Sequence, residues 1–181
     1  MFSEKTKKRP PKPPTKARLN NIALYYLKRY ETSIDNLRTV LKRRIDKYTL
    51  FDKEYNKEQA YSWIEEIINN CISKNYVNDE RFSDFKVRSY LNSGKSKRYI
   101  TQKLKQKGID EKTISQTFDL HEYNDFNVAL KFAKKKKIGP FRETEEKRFQ
   151  NKQKDLATLV RAGFEFDTAK DVLDYFIDNP T

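Results

Sequence analysis

The stretch LKQKGIDEKTISQTF, residues 104–118, places a glycine inside a pattern that is otherwise typical of a helix. The chain has only four glycines among its 181 residues. A glycine in a helix interior costs about 1 kcal/mol relative to alanine, so Gly108 is expected to have a structural task. Many helices end on a residue with left-handed backbone angles, which glycine adopts most easily. The stretch therefore predicts two helices joined by a tight turn at Gly108.

The same pattern returns in LVRAGFEFDTAKDVL, residues 159–173, which lies 55 residues further along the chain. The matched residues are Leu104, Gly108, Ile109, Ile114 and Phe118 in the first stretch and Leu159, Gly163, Phe164, Ala169 and Leu173 in the second. A weaker copy begins at Leu41, where Ile45 stands in place of the glycine. These similarities predict three imperfect copies of one three-helix module, each of which buries a small core.

Helical periodicity covers most of the remaining chain. Ser33 is a predicted N-cap, and the clearest apolar stripe at helical spacing runs from Ala60 to Ile72. In the last repeat, the first helix is predicted to stop at Gly139-Pro140, and the middle helix is predicted to run from about Thr144 to Arg161. The predicted fold is therefore all-α, an elongated array of three tandem three-helix repeats. The repeats are assigned to residues 19–77, 78–122 and 123–179.

Residues 1–18 have a different composition from the rest of the chain. They carry seven basic residues, one acid and four of the six prolines. Such a segment buries too little apolar surface to offset the entropy of ordering it, so a disordered basic arm is predicted.

The whole chain is basic and has a modest supply of core residues. It has 39 Lys and Arg against 26 Asp and Glu, a net charge of +13, and 36% hydrophobic residues. That charge favours nucleic acid, an acidic protein surface or an anionic membrane, and composition does not choose among them. The single cysteine and the lack of an apolar run of about 20 residues predict a cytoplasmic protein without disulfides or membrane spans.

Residue patterns typical of catalysis are absent from the sequence. The only histidine, His121, has no partner at metal-binding spacing, and the glycines do not form a phosphate-binding loop. Cys71 belongs to an apolar helical stripe, which indicates packing instead of nucleophilic chemistry. A non-enzymatic protein without a metal or cofactor is expected.

Charge placement is the more informative feature. Residues 86–107 contain eight basic residues and no acid. On the helix that turns Ile100 and Leu104 inward, Arg98 and Lys105 fall on the opposite side. The pattern fits either a solvated helix surface or an anion-binding one. The run Lys134 to Lys137 is interpreted as a solubilising helix end that complements the helix dipole.

The segment Asn75 to Ile114 resembles the RecX family of bacterial recombination regulators. The matching motifs are Asp79-Glu80-Arg81-Phe82, Val87-Arg88-Ser89, Gly94-Lys95, Ile100, Leu104 and Lys107-Gly108-Ile109-Asp110. The resemblance extends more weakly over about residues 20 to 176. It implies a tandem-repeat protein that binds RecA filaments and restrains their ATPase, strand-exchange and coprotease activities.

The resemblance also implies a partner, although the motif match does not fix which residues contact it. The partner would be the RecA nucleoprotein filament, with possible contact to the backbone of single- or double-stranded DNA by a monomer that does not bind membranes. The exposed candidates for contact are Arg81, Arg88, Lys95, Lys97, Arg98 and Lys105. Two alternatives stay open: a sequence-tolerant nucleic-acid-binding protein, and a hydrolase that uses the acids between Glu165 and Asp178.

Overall fold

The structure is a computed structural model that describes residues 11–175, and within them every regular element is a helix and there is no strand. The helices are α1 (Lys16–Leu27), α2 (Ile34–Thr49), α3 (Lys57–Ser73), α4 (Asp79–Asn92), α5 (Lys97–Lys105), α6 (Glu111–Leu120), α7 (Asp125–Lys136), α8 (Glu145–Arg161) and α9 (Phe166–Asp174), with a 3-10 turn at Gly139–Phe141. The all-α prediction is confirmed. None of the described helices is both long and apolar enough to cross a bilayer.

The described residues divide into two compact units, residues 11–78 and residues 79–175. In the first unit, α1, α2 and α3 pack around one apolar core. The predicted cap at Ser33 is confirmed, because its Oγ accepts the Asn36 N–H at 3.1 Å. Ile45 is buried near the C-terminal end of α2, which continues to Thr49. A glycine is therefore not needed at this position, since the helix does not end there.

The first helix begins inside the segment that was predicted to be a disordered arm. Thr15 caps α1 by accepting the Arg18 N–H at 3.3 Å, so α1 starts at Lys16. Pro14 is buried, and its carbonyl oxygen accepts a hydrogen bond from the Tyr55 hydroxyl. The predicted boundary at residue 18 is thus too late, while residues 1–10 of the predicted arm lie outside the described residues.

In the second unit, α4, α5 and α6 surround a core that contains all four apolar residues matched around Gly108. Gly108 has φ +76°, and the Ile109 N–H donates to the Leu104 carbonyl oxygen at 3.2 Å. This is the six-residue hydrogen bond of a Schellman motif. The predicted left-handed helix end at Gly108 is confirmed, and Gly163 ends α8 in the same way, with φ +93°.

Helices α7, α8 and α9 surround the other core of the second unit. The sequence predicted that α7 would stop at Gly139-Pro140, and this was wrong. The helix ends at Lys136, and Lys137 takes the left-handed conformation with φ +54°. Gly139 instead begins the 3-10 turn. The predicted middle helix is confirmed, because Thr144 caps α8 and the helix ends at Arg161.

Candidate functional site

Helix α5 presents one polar side to solvent. Ile100 and Leu104 are buried, and the opposite side surrounds a shallow depression. We call this surface the α5 face. It is formed by Lys97, Arg98, Thr101, Gln102, Lys105 and Gln106. It brings together three of the six contact residues predicted from the sequence.

The N-terminus of α5 is held in place by residues that follow it in the chain. Ser96 Oγ accepts the Tyr99 N–H at 3.3 Å as the N-cap, and its hydroxyl donates to the Ala162 carbonyl oxygen at 2.7 Å. The Lys97 N–H donates to the Tyr123 hydroxyl at 3.1 Å. Two contacts distant in sequence therefore fix the start of the α5 face relative to α8 and α7.

Tyr123 is a neutral anchor in this arrangement. Burial raises the pKa of its hydroxyl, and the hydrogen bond that it donates to the Asp125 carboxylate raises the pKa further. The hydroxyl therefore stays protonated at any physiological pH. It accepts from the backbone of α5 on one side and donates to Asp125 on the other.

Lys97 and Arg98 carry the positive charge of the α5 face. The Lys97 ammonium lies 5.0 Å from the centre of the Phe118 ring and 5.8 Å from that of Tyr123. Among residues 11–175, neither Lys97 nor Arg98 forms an ion pair with a carboxylate. Both charges are thus available to an external anion.

Lys105 stands at the other end of the α5 face and is already paired. Its ammonium contacts the Glu111 carboxylate on α6, and this hydrogen bond lowers the pKa of Glu111. The face is therefore most positive near the N-terminus of α5. The sequence did not predict this pairing, because Lys105 and Glu111 lie on different helices.

Lys95 lies away from the face, next to a tyrosine pair. Its ammonium is 4.9 Å from the Tyr99 ring centre, and Lys103 approaches the same ring at 5.7 Å. The Tyr99 ring meets that of Tyr90 edge to face at 5.7 Å. Lys95 therefore contacts an aromatic ring that is not part of the α5 face.

The remaining two predicted residues, Arg81 and Arg88, are exposed on α4. Asp84 Oδ2 accepts from Arg88 Nη2 at 3.1 Å, and its Oδ1 lies 2.8 Å from His121 Nε2. The sequence left His121 without a partner, and the fold supplies this carboxylate. No group of three or more metal-ligating side chains occurs in the described part of the chain.

The comparison with known proteins identifies the family. Over 176 residues, the chain is 38% identical to regulatory protein RecX of Myxococcus xanthus strain DK1622, covering 94% of each sequence. The chain belongs to the RecX family. It is 39% identical over 99 residues to regulatory protein RecX of Agrobacterium fabrum, covering 54% of this chain and 51% of that one. The family model described as "RecX, second three-helix domain" matches residues 78–117, which include α4, α5 and most of α6.

Solved structures of RecX proteins have the same fold. A crystal structure of regulatory protein RecX superposes with a TM-score of 0.65 at 21% identity, covering 88% of this chain and 72% of that one. RecX from Lactobacillus salivarius gives a TM-score of 0.61 at 23% identity, covering 88% and 96%. The relatives share the name of a regulatory protein, so this chain is a RecX-family regulatory protein.

Proposed function

We propose that this protein binds RecA nucleoprotein filaments and inhibits their ATPase, strand-exchange and coprotease activities without chemistry of its own. The observation that carries the proposal is the similarity to regulatory protein RecX across almost the whole of both chains. The proposed contact surface is the α5 face. Two features support it there: the charges of Lys97 and Arg98, and the anchoring of α5 through Ser96 and Tyr123.

An anchored basic surface suits a filament for a physical reason. A nucleoprotein filament presents carboxylates of the recombinase and phosphates of DNA, and both attract cations. A helix that is already held in one position loses little conformational entropy when it binds. Arg98 can in addition form two parallel hydrogen bonds to a carboxylate or phosphate, which a lysine cannot do.

The test is the rate of ATP hydrolysis by a purified RecA-type recombinase on single-stranded DNA. The variant Lys97→Gln with Arg98→Gln removes the two charges of the α5 face that form no ion pair among the described residues. The matched control, Lys135→Gln with Lys136→Gln, removes the same charge from the exposed end of α7. Wild-type protein is expected to suppress hydrolysis, the α5 variant to suppress it less, and the control to behave like wild type.

Salt separates a specific surface from general attraction. At about 0.15 M salt the Debye length is about 8 Å, so long-range attraction by exposed charges is largely screened. A specific α5 face predicts that the difference between the two double variants persists at this salt. If both double variants lost suppression of ATP hydrolysis equally, the assignment of the α5 face would be refuted. If wild-type protein did not change ATP hydrolysis, the proposed function would be refuted.

A further inference from the structure

The first unit contains a basic cleft that the proposed function does not use. It lies between the segment Pro11–Pro14, helix α1 and the C-terminal half of α2, and its volume is about 530 Å³. Four cations line it: Lys12, Arg18, Arg44 and Lys47. We call it the α1–α2 cleft. Ile22 and Tyr48 contribute apolar lining, and no acidic residue lines it.

The proline-containing wall of the cleft is held by contacts of its own. The Pro14 carbonyl oxygen accepts from the Tyr55 hydroxyl, and the Pro13 carbonyl oxygen accepts from Arg18 Nη1 at 3.1 Å. Proline also has a restricted backbone, so little freedom remains to be lost on binding. The cleft is therefore a preformed feature of the unit.

The four cleft cations differ from other basic residues of the same unit. Arg38 Nε lies 2.8 Å from Glu65 Oε1, and Lys57 Nζ lies 2.7 Å from Asp46 Oδ1. Within residues 11–175, no carboxylate forms an ion pair with any of the four cleft cations. No described carboxylate lies within ion-pair distance of these four cations to offset their mutual repulsion.

Helix electrostatics account for only one of these charges. Lys47 lies in the last turn of α2, where a cation interacts favourably with the helix dipole. Arg18 lies in the first turn of α1, which contains no acid, and a cation is unfavourable at that end of a helix. Placing Arg18 beside three other cations thus lowers the stability of the unit, and an external anion would reverse that effect.

We propose that the α1–α2 cleft binds the phosphodiester backbone of nucleic acid. A phosphate backbone carries one negative charge per nucleotide and no intervening cation, which matches a cleft with four cations and no acid. Such contacts position a strand without reading its sequence. The site lies on a different unit from the α5 face, and it does not depend on the proposed inhibition of a recombinase.

The test measures binding of a fluorescein-labelled oligothymidylate to the full-length protein by fluorescence anisotropy, with no recombinase present. The cleft variant is Arg44→Gln with Lys47→Gln. The control is Arg43→Gln with Lys53→Gln, which removes the same charge from exposed residues of the unit that do not line the cleft. Circular dichroism and thermal melting confirm that each variant is folded.

The expected results follow from counterion release. Each phosphate contact contributes about −0.7 to the slope of log K against log salt for a single strand, so the cleft variant should flatten that slope by about 1.4. The dissociation constant at about 0.1 M salt should rise about tenfold or more, while the control changes it less than about threefold. The variant Lys12→Gln with Arg18→Gln should weaken binding similarly, because it neutralises the opposite wall.

Three outcomes would overturn the proposal. The first is an equal loss of affinity for the labelled strand in the cleft and control variants, and the second is unchanged affinity in both cleft variants. The third is displacement of the labelled strand by polyglutamate as effectively as by an unlabelled strand of equal charge. The last outcome would identify an acidic polypeptide as the ligand. Because the assay contains no recombinase, none of these results bears on inhibition of the filament.

Discussion

The helix pairs α5–α6 and α8–α9 are built on one sequence pattern and yet fill one core position differently. In both pairs the first helix ends on a left-handed glycine, Gly108 or Gly163, and the matched apolar residues are buried. Ile100 is fully buried in α5, whereas the residue 55 positions later is the equally buried Asp155 of α8. The module thus tolerates a carboxylate in its core when another part of the chain supplies the partners.

The partners of Asp155 come from the connection between α7 and α8. Asp155 Oδ2 accepts the Gly139 N–H at 2.9 Å and Arg142 Nε at 2.7 Å, and Oδ1 accepts Arg142 Nη2 at 2.7 Å. A buried charge is costly unless it is paired and hydrogen-bonded, and here both carboxylate oxygens are satisfied. The ion pair fixes the 3-10 turn that follows α7. The α4–α5 connection contains no such ion pair among the described residues. It turns at Gly94, which has a positive φ, and Ser96 caps α5.

The two pairs also differ on their surfaces. Arg98 and Lys105 of the α5 face correspond, 55 residues later, to the exposed Gln153 and Val160. The two helix pairs therefore share the pattern of buried residues but not the pattern of exposed ones. This difference favours the α5 face over the equivalent side of α8 as an anion-binding surface.

Removal of the buried carboxylate should have the largest effect. Asp155→Ala leaves Arg142 and the Gly139 N–H without their partner, and breaking a buried pair in this way costs about 3 to 5 kcal/mol. The free energy of unfolding from urea titration provides the measurement. A cost below about 1 kcal/mol would show that the ion pair contributes little to the free energy of unfolding. The difference between Asp155 and Ile100 would then not affect stability.

The same carboxylate makes the stability of the protein depend on pH. Burial alone would raise the pKa of Asp155, but hydrogen bonds from Arg142 and Gly139 outweigh it and hold the pKa below the ordinary aspartate value. The stabilisation is therefore complete above that ordinary value and is lost as the pH falls through the folded-state pKa. Wild-type protein should lose more stability than Asp155→Asn between about pH 5 and pH 2. Parallel curves for the two proteins would contradict this assignment.

The next largest effect on stability is expected from substitutions at the two helix-ending glycines, Gly108 and Gly163. Gly108→Ala and Gly163→Ala both place a side chain at positive φ, which costs about 1 kcal/mol. At Gly163 the added Cβ would also lie 2.6 Å from Ser96 Oγ, and relief of such overlap costs about 1 to 3 kcal/mol more. Thermal or urea unfolding should therefore rank Gly163→Ala as the more destabilising change. Equal costs would mean that the contact between α8 and the start of α5 is loose.

The two N-caps should show a smaller difference. Ser96→Ala removes a buried cap and the hydrogen bond to the Ala162 carbonyl oxygen, for an expected loss of about 2 kcal/mol. Thr144→Ala removes an exposed cap of α8 that accepts only the Lys147 N–H, for a loss of about 1 kcal/mol. If Thr144→Ala were the costlier change in urea titrations, the Ser96 to Ala162 bond would not anchor α5.

The smallest effect on stability is expected on the α5 face itself. Arg98→Gln changes an exposed side chain without an ion pair, so the free energy of unfolding should shift by no more than about 0.5 kcal/mol. Gln153→Ala, at the corresponding position of α8, provides the control. A shift above about 1 kcal/mol for Arg98→Gln would mean that its effect on recombinase inhibition reports folding and not contact.

Local sequence features predicted the helix ends well. The left-handed turn at Gly108, the cap at Ser33 and the start of α8 at Thr144 depend on residues within five positions of one another, so the sequence contains all the information that they require. The end of α7 was missed because Lys137 takes the left-handed role that was assigned to Gly139. A non-glycine residue in that conformation gives no signal in a single sequence.

The sequence by itself determined the all-helical fold, the glycine-terminated helices, the inner and outer sides of α5 and the resemblance to the RecX family. Only the tertiary structure decided which charges are paired. Lys105 meets Glu111, His121 meets Asp84, and Asp155 lies in a core that its own helix pattern does not reveal. The physical reason is that helix periodicity reports the neighbours of a residue along its own helix. The partner of a charge and the walls of the α1–α2 cleft come from other segments, and their approach is set by how the helices pack.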